Sequence, residues 1–230
     1  MASFYWKIQY SETLNLKRGK SLISKKQLVT ITESSIKNLI NSFQKSPYTF
    51  YTESDLHCYL YNQIYTSLPA EQWFCKTSNQ ESILIHKEYP TKERYSRKSL
   101  TEGLEKGSRG HFDLTIWNPE RTQERAFRAK DQKFEEEQQT FIAIEFDLEE
   151  NKADVENAVH HLRWDLMKLR GTKNEVENGY LLTFGRDWAY EKDFLEKVKQ
   201  FTATEKEVTV IYIGGSCKND IVQLSKKTIF

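Results

Sequence analysis

The sequence predicts an α/β protein, a mixed β-sheet flanked by helices and preceded by a basic N-terminal extension. Three observations predict it. GHFDLTIW (110–117) and FIAIEFD (141–147) alternate apolar and polar residues with the two-residue period of a pleated strand. TESDLHCYLYNQIYTSL (52–68) and NKADVENAVHHLRWDLMKLRG (151–171) instead repeat apolar residues at helical spacing. In the second half strand and helix candidates alternate, the order that lays helices against a sheet.

The elements follow in order. Residues 1–30 read as one or two short strands, with Phe4, Trp6 and Ile8 alternating, and ITESSIKNLINSFQK reads as a helix. The helix of 52–68 carries Leu56, Leu60 and Ile64 behind the caps Thr52 and Ser54. SILIHKEYPTKERY is a strand that Pro90 is expected to interrupt. A polar, Gly-containing stretch leads into GHFDLTIW, closed by the turn signal Asn118-Pro119. Residues 119–140 are almost wholly polar and read as a long loop or helical excursion. After FIAIEFD, the stripe Val155, Val159, Leu162, Leu166 and Leu169 marks a helix, with Gly171 as its C-cap. Strand GYLLTFG, helix EKDFLEKVKQF, strand VTVIYIGG and a polar tail complete the chain. The expected division is 1–45 as the basic extension, packed on the core or free of it, and 46–230 as the α/β domain.

Composition narrows the classes. At 38% hydrophobic and 29% charged, with many Phe, Tyr and Trp, the chain reads as a soluble globular protein and not as a disordered one. No apolar run approaches the roughly 20 residues of a membrane span, and the N-terminus shows no signal-peptide apolar region. Cys58, Cys75 and Cys217 are odd in number and far apart, so neither a disulfide framework nor a CxxC metal site is expected, and the cytoplasm is the expected compartment. The net charge of +1 conceals two basic segments. Lys17, Arg18, Lys20, Lys25 and Lys26 lie in the first; Lys87, Arg94, Arg97, Lys98 and Arg109 lie in the second. Basic residues interleaved with Tyr and Trp suit nucleic-acid backbones and stacked bases. A solvated surface with flexible arms is the plain alternative.

The chemistry concentrates on the two alternating strands. In GHFDLTIW, Phe112, Leu114 and Ile116 are expected on one face and His111, Asp113 and Thr115 on the other; in FIAIEFD, Glu145 and Asp147 share a face. If the strands are neighbours, three carboxylates converge, and something positive must sit among them. A divalent cation, Mg²⁺ or Mn²⁺, fits, since it prefers oxygen ligands, activates water and neutralises charge on a phosphoryl group.

These residues and the order of elements across 52–185 resemble the PD-(D/E)XK nuclease superfamily. The resemblance implies a restriction-endonuclease-like fold and a metal-dependent endonuclease hydrolysing phosphodiester bonds. It carries Asp113 and Glu145 onto the metal-binding acids and Glu53 onto the acid that some members hold on the first helix. The departure falls two positions after Glu145, where the family usually has lysine and this chain has Asp147. The proline before the first acid is replaced by Phe112. Lys152 from the next helix could supply the cation, Asp147 could add a metal ligand, or catalysis could be lost. Expected partners are nucleic acid, DNA ahead of RNA, within a homodimer or larger nuclease complex and with no membrane. His161, Trp164 and Lys168, on the flank of the helical stripe, are further candidates for nucleic-acid contact. His57, one turn after Glu53, reads as structural, and the first turn of its helix also suits Glu53 as a plain dipole partner. The alternative from another class is an inactive nuclease-fold subunit that binds nucleic acid or serves assembly; a structural acid pair with protein partners alone is a third reading.

Overall fold

The computed structural model describes residues 23–68, 83–96, 99–103, 108–119, 139–149, 155–186, 191–203, 205, 207–214 and 221–224. Four helices and seven strands are described: α1 (Lys25–Lys45), α2 (Glu53–Ser67), β1 (Ile85–Ser96), β2 (Ser99–Gly103), β3 (Ser108–Trp117), β4 (Thr140–Glu149), α3 (Val155–Arg170), β5 (Asn178–Gly185), α4 (Glu191–Thr202), β6 (Val208–Gly214) and β7 (Ile221–Gln223). The strands form one mixed sheet in the order β2-β1-β3-β4-β5-β6-β7. β1, β3 and β4 run antiparallel in turn, and β4, β5 and β6 run parallel, α3 and α4 supplying the crossovers that parallel neighbours need.

Helices cover both faces. Leu28, Ile36, Leu39 and Phe43 of α1 and Leu56, Leu60 and Ile64 of α2 pack with Leu114, Ile144 and Leu182 of the sheet. Val159, Leu162 and Leu166 of α3 and Phe194 and Val198 of α4 pack with Leu181 and Val210 on the other face. A sheet covered on both sides needs apolar residues on both, and β6 is accordingly buried at every position. Gly179 brings α3 close: a Cβ there would lie 3.2 Å from Val208 Cγ2 and 3.4 Å from Leu169 Cβ.

The sequence expectations hold for the main elements, with corrections. Residues 25–30, read as strand, are the first turns of α1. The signal was present: Ser24 caps the helix in a capping box with Gln27. The helix is part of the core, and residues 1–22 lie outside the described residues. Pro90 does not end β1. Among the described residues β2 pairs only with Tyr95 and Ser96, so Pro90 lies where β1 is an edge strand, the place in a sheet that tolerates proline. The irregularity appears instead as a register shift between Pro90 and Arg94. The sequence predicts a polar connection and a polar tail where β2 and β7 run. Gly171 follows α3 with φ −53°, without the left-handed geometry of a glycine cap.

The alternation of β3 also breaks. Leu114 and Ile116 face α1 and α2, but Phe112 packs with α3 and α4. The break lies at Asp113. The β3–β4 ladder pairs Leu114 with Ile144 and goes no further towards Asp113, while β4 stays paired with β5 as far as Glu149. On the β1 side, the register passes from Lys87–Leu114 to Tyr89–Phe112, and Glu88 between them has φ 49°. β3 therefore peels away from β4 at Asp113, leaving a notch in the sheet.

Candidate metal centre and acid cluster

The notch is bridged by a side chain. Asp113 Oδ2 accepts the Phe146 N–H at 2.7 Å, where a ladder bond would otherwise run. This turns the carboxylate towards α2, with His57 Nε2 3.6 Å from the same oxygen. The expectation that Asp113 and Glu145 stand on one flat face is thus corrected: adjacent strands carry them, but Asp113 leans through the notch and Glu145 faces α3.

The start of α2 is fixed from two directions. Thr52 and Asp55 form a capping box, the carboxylate of Asp55 accepting the Thr52 N–H at 2.7 Å. Arg186, just after β5, donates to the carbonyls of Phe50 and Tyr51. Glu53 is consequently the first helical residue, and His57 follows one turn later on the same side. Glu53 Oε1 lies 3.5 Å from His57 Nε2, and the His57 ring rests on Phe146 with centroids 4.7 Å apart. Ligand atoms of Glu53, His57 and Asp113 all lie within 4.8 Å of one another, and this trio could hold a metal ion.

On the other side of the notch stands Lys168. Its Nζ lies 2.8 Å from Glu145 Oε1 and 2.9 Å from Asp165 Oδ1, and it donates to the His111 carbonyl at 2.9 Å. Two carboxylates and a carbonyl surround the ammonium, and the lysine is buried. The end of α3 is held in place by Asn174, whose Nδ2 donates to the Lys168 carbonyl and whose Oδ1 accepts the Glu93 N–H of β1.

The electrostatics join the two halves. Burial pushes the Asp113 carboxyl up to about 6 against the opposing pull of His57, the Phe146 N–H and Lys168. Glu145 is pushed well up by burial, only partly offset by Lys168 and reinforced by Asp165 and Asp113. Asp165 rises by burial too, with Glu53 adding to the rise. Burial opposes the charge of Lys168, but Glu145, Asp165 and Asp113 outweigh it and hold the ammonium above its usual range. Three carboxyls share one ammonium, so the ammonium keeps its charge and the acids compete for protons as a unit.

The remaining sequence candidates are placed as follows. Asp147 is buried on β4, two residues from Glu145 on the same face and in register with Thr183. Lys168, expected as a nucleic-acid contact, points inward to the acids. His161 is exposed and Trp164 half-buried on α3. Lys87 is exposed, its Nζ 3.5 Å from Cys58 Sγ, next to His57 on α2. Lys25 is engaged with Glu177 at 2.7 Å and lies over the Phe141 ring, while Lys26 is exposed. Arg94 and Arg109 face each other in the β1–β3 ladder, their side chains outside what is described. Lys17, Arg18, Lys20, Arg97, Lys98 and Lys152 lie outside the described residues. Two residues escaped the sequence reading, His57 as a member of the trio and Asp165 as a partner of Lys168; the signals were the spacings Glu53-x-x-x-His57 and Asp165-x-x-Lys168, each joining neighbours on a helix.

Among the described residues no helix is long and apolar enough to cross a membrane. Comparison with protein-family models, with curated proteins and with solved structures finds no match for this chain.

Proposed function

We propose that the protein is a metal-dependent nuclease of the PD-(D/E)XK kind, hydrolysing phosphodiester bonds of nucleic acid with Mg²⁺ or Mn²⁺. The observation that carries this reading is the ion pair of Lys168 with Glu145 inside a cluster that includes Asp113. Lys168, on the following helix, is the cation that stands beside Glu145 among the described residues; Lys152 lies outside them.

The residues fit a metal: the buried His57 Nε2 lies between two carboxylates without a hydrogen-bond partner among the described residues. Glu53 and Asp113, with His57 beside them, would hold the ion. A bound divalent ion supplies an activated water and neutralises charge developing on the phosphoryl oxygens. Lys168 stays protonated and therefore acts by its charge, facing the negative charge that builds in the transition state, and not as a general base. Glu145, buried against Lys168, keeps the ammonium beside Asp113. Asp165 holds the ammonium in position.

The second reading, an inactive nuclease-fold subunit that binds nucleic acid or serves assembly, is favoured by the enclosure of Lys168, whose buried ammonium faces two carboxylates and a carbonyl of the protein itself. Incubation of labelled DNA and RNA with wild type, Asp113→Asn and Glu145→Gln in Mn²⁺, Mg²⁺ or EDTA separates the two. The nuclease reading requires metal-dependent cleavage by wild type that both variants lose; binding without cleavage in either metal selects the second.

A further inference from the structure

We infer that Glu53, His57 and Asp113 bind a first-row transition-metal ion with His57 Nε2 as a direct ligand, in preference to Mg²⁺ or Ca²⁺. This deepens the metal-dependent reading above and rests on its metal, but not on cleavage.

The spacing of the three ligand atoms is the first argument. His57 Nε2 stands 3.5 Å from Glu53 Oε1 and 3.6 Å from Asp113 Oδ2. A charged imidazolium bonded to carboxylates draws them to about 2.7–2.9 Å, and beyond about 3.5 Å a hydrogen bond is no longer made. An ion with bonds of about 2.1 Å sets tetrahedral ligand atoms about 3.4 Å apart and adjacent octahedral ones about 3.0 Å apart. Both distances from Nε2 are near the first spacing, and all three ligand atoms lie within 4.8 Å of one another.

Burial is the second. The His57 side chain is 4% exposed, and its Nε2 has no hydrogen-bond partner among the described residues. Leaving such an atom unmatched destabilises the fold, a penalty that a metal bond removes. The walls are graded: Asp113 is 16% exposed and Glu53 43% exposed. Glu53 thus stands at the mouth, where an ion can exchange its waters for the carboxylate before meeting the two inner ligands.

The donor set then selects the ion. Mg²⁺ takes oxygen ligands and gives up its waters reluctantly, and Ca²⁺ likewise binds oxygen. Imidazole suits first-row transition ions, and two carboxylates with one imidazole make a mixed set that these ions accept. Mn²⁺ is the weakest binder of the first-row series, which makes it the stringent probe: a preference over Mg²⁺ seen with Mn²⁺ is expected to be larger with the later ions.

The test uses the full chain, freed of metal with EDTA and desalted. Calorimetric titration is expected to show Mn²⁺ binding at least roughly tenfold more tightly than Mg²⁺. Pulsed electron paramagnetic resonance of the Mn²⁺-loaded protein is expected to show modulation from a coordinated ¹⁴N nucleus. That modulation should vanish in His57→Gln and persist, with weaker binding, in Glu53→Gln. A wild-type spectrum without nitrogen modulation overturns the inference whatever the variants do, as does equal affinity for the two ions or no binding of either. Cleavage is scored separately. Nitrogen-ligated Mn²⁺ without cleavage upholds this inference and defeats the nuclease reading; cleavage supported by Mg²⁺ with no nitrogen signal does the reverse.

Discussion

Replacing Lys168 by methionine removes one charge from the acid cluster while keeping the length of the side chain. In the native structure Lys168 is 7% exposed and holds Glu145, 1% exposed, and Asp165 through bonds of 2.8 and 2.9 Å. Removing one partner of a buried ion pair costs about 3–5 kcal/mol, because the remaining charge has neither water nor counter-ion. For a chain of this size that corresponds to a fall in Tm of roughly 6–20 °C. The loss carries a pH signature. Glu145 and Asp165 already sit above their usual range, and without the ammonium they rise further. The native variant then binds more protons than its unfolded chain, so its stability falls as pH rises and recovers as pH drops towards 5. Urea unfolding of wild type and Lys168→Met at pH 5, 6, 7 and 8 measures this directly, and Lys168→Met combined with Glu145→Gln should regain part of the loss at pH 8. A loss below about 1 kcal/mol with no dependence on pH would mean that Lys168 is solvated, and the account of the cluster would be wrong.

Three further outcomes are expected. His86 stacks on Trp117 at 3.9 Å and burial pushes its imidazole down to about 4. The unfolded chain therefore takes up the proton first, and stability should fall by up to about 3 kcal/mol between pH 6.5 and 4; chemical denaturation of His86→Phe should show a flatter acid limb. Glu88 has φ 49°, so Glu88→Gly should stabilise by about 1 kcal/mol, read as a rise in the urea midpoint at unchanged slope. For duplex DNA, Lys26→Gln should lower the salt dependence of affinity by about 0.9, whereas Lys25→Gln should leave it unchanged because Lys25 is engaged with Glu177; fluorescence anisotropy across a salt series distinguishes the two.

Long, strongly periodic elements were legible because burial on a defined face writes itself into the sequence. The stripe of α3 and the alternation of β4 are the clearest cases. Strands β2 and β7 were not, since short strands at the two edges of a sheet need little apolar surface. Lys25 and Lys26 drew α1 into a basic arm, although the Ser24–Gln27 cap marked its start. The acids Asp113 and Glu145 could be found from alternation, because a charge among buried neighbours stands out. The inward turn of Lys168 could not: it depends on how closely α3 lies over β5, which Gly179 permits and no local pattern reports. The lean of Asp113 was hidden for a similar reason, since strict alternation assumes a continuous ladder and this one stops at Leu114.

The notch has a consequence for the order in which the protein folds. Its charged groups come from residues 53 to 168, from helices on opposite faces of the sheet. Neither α2 nor α3 can make those contacts until it has docked, and both must wait for β3 and β4 to pair. Before docking, the acids and Lys168 remain hydrated and gain little from one another. The cluster should therefore be absent from the folding transition state, and Lys168→Met should speed unfolding while leaving the folding rate nearly unchanged. The ion pair would then act as a latch on a finished structure, setting how long the native state lasts and not how quickly it is reached.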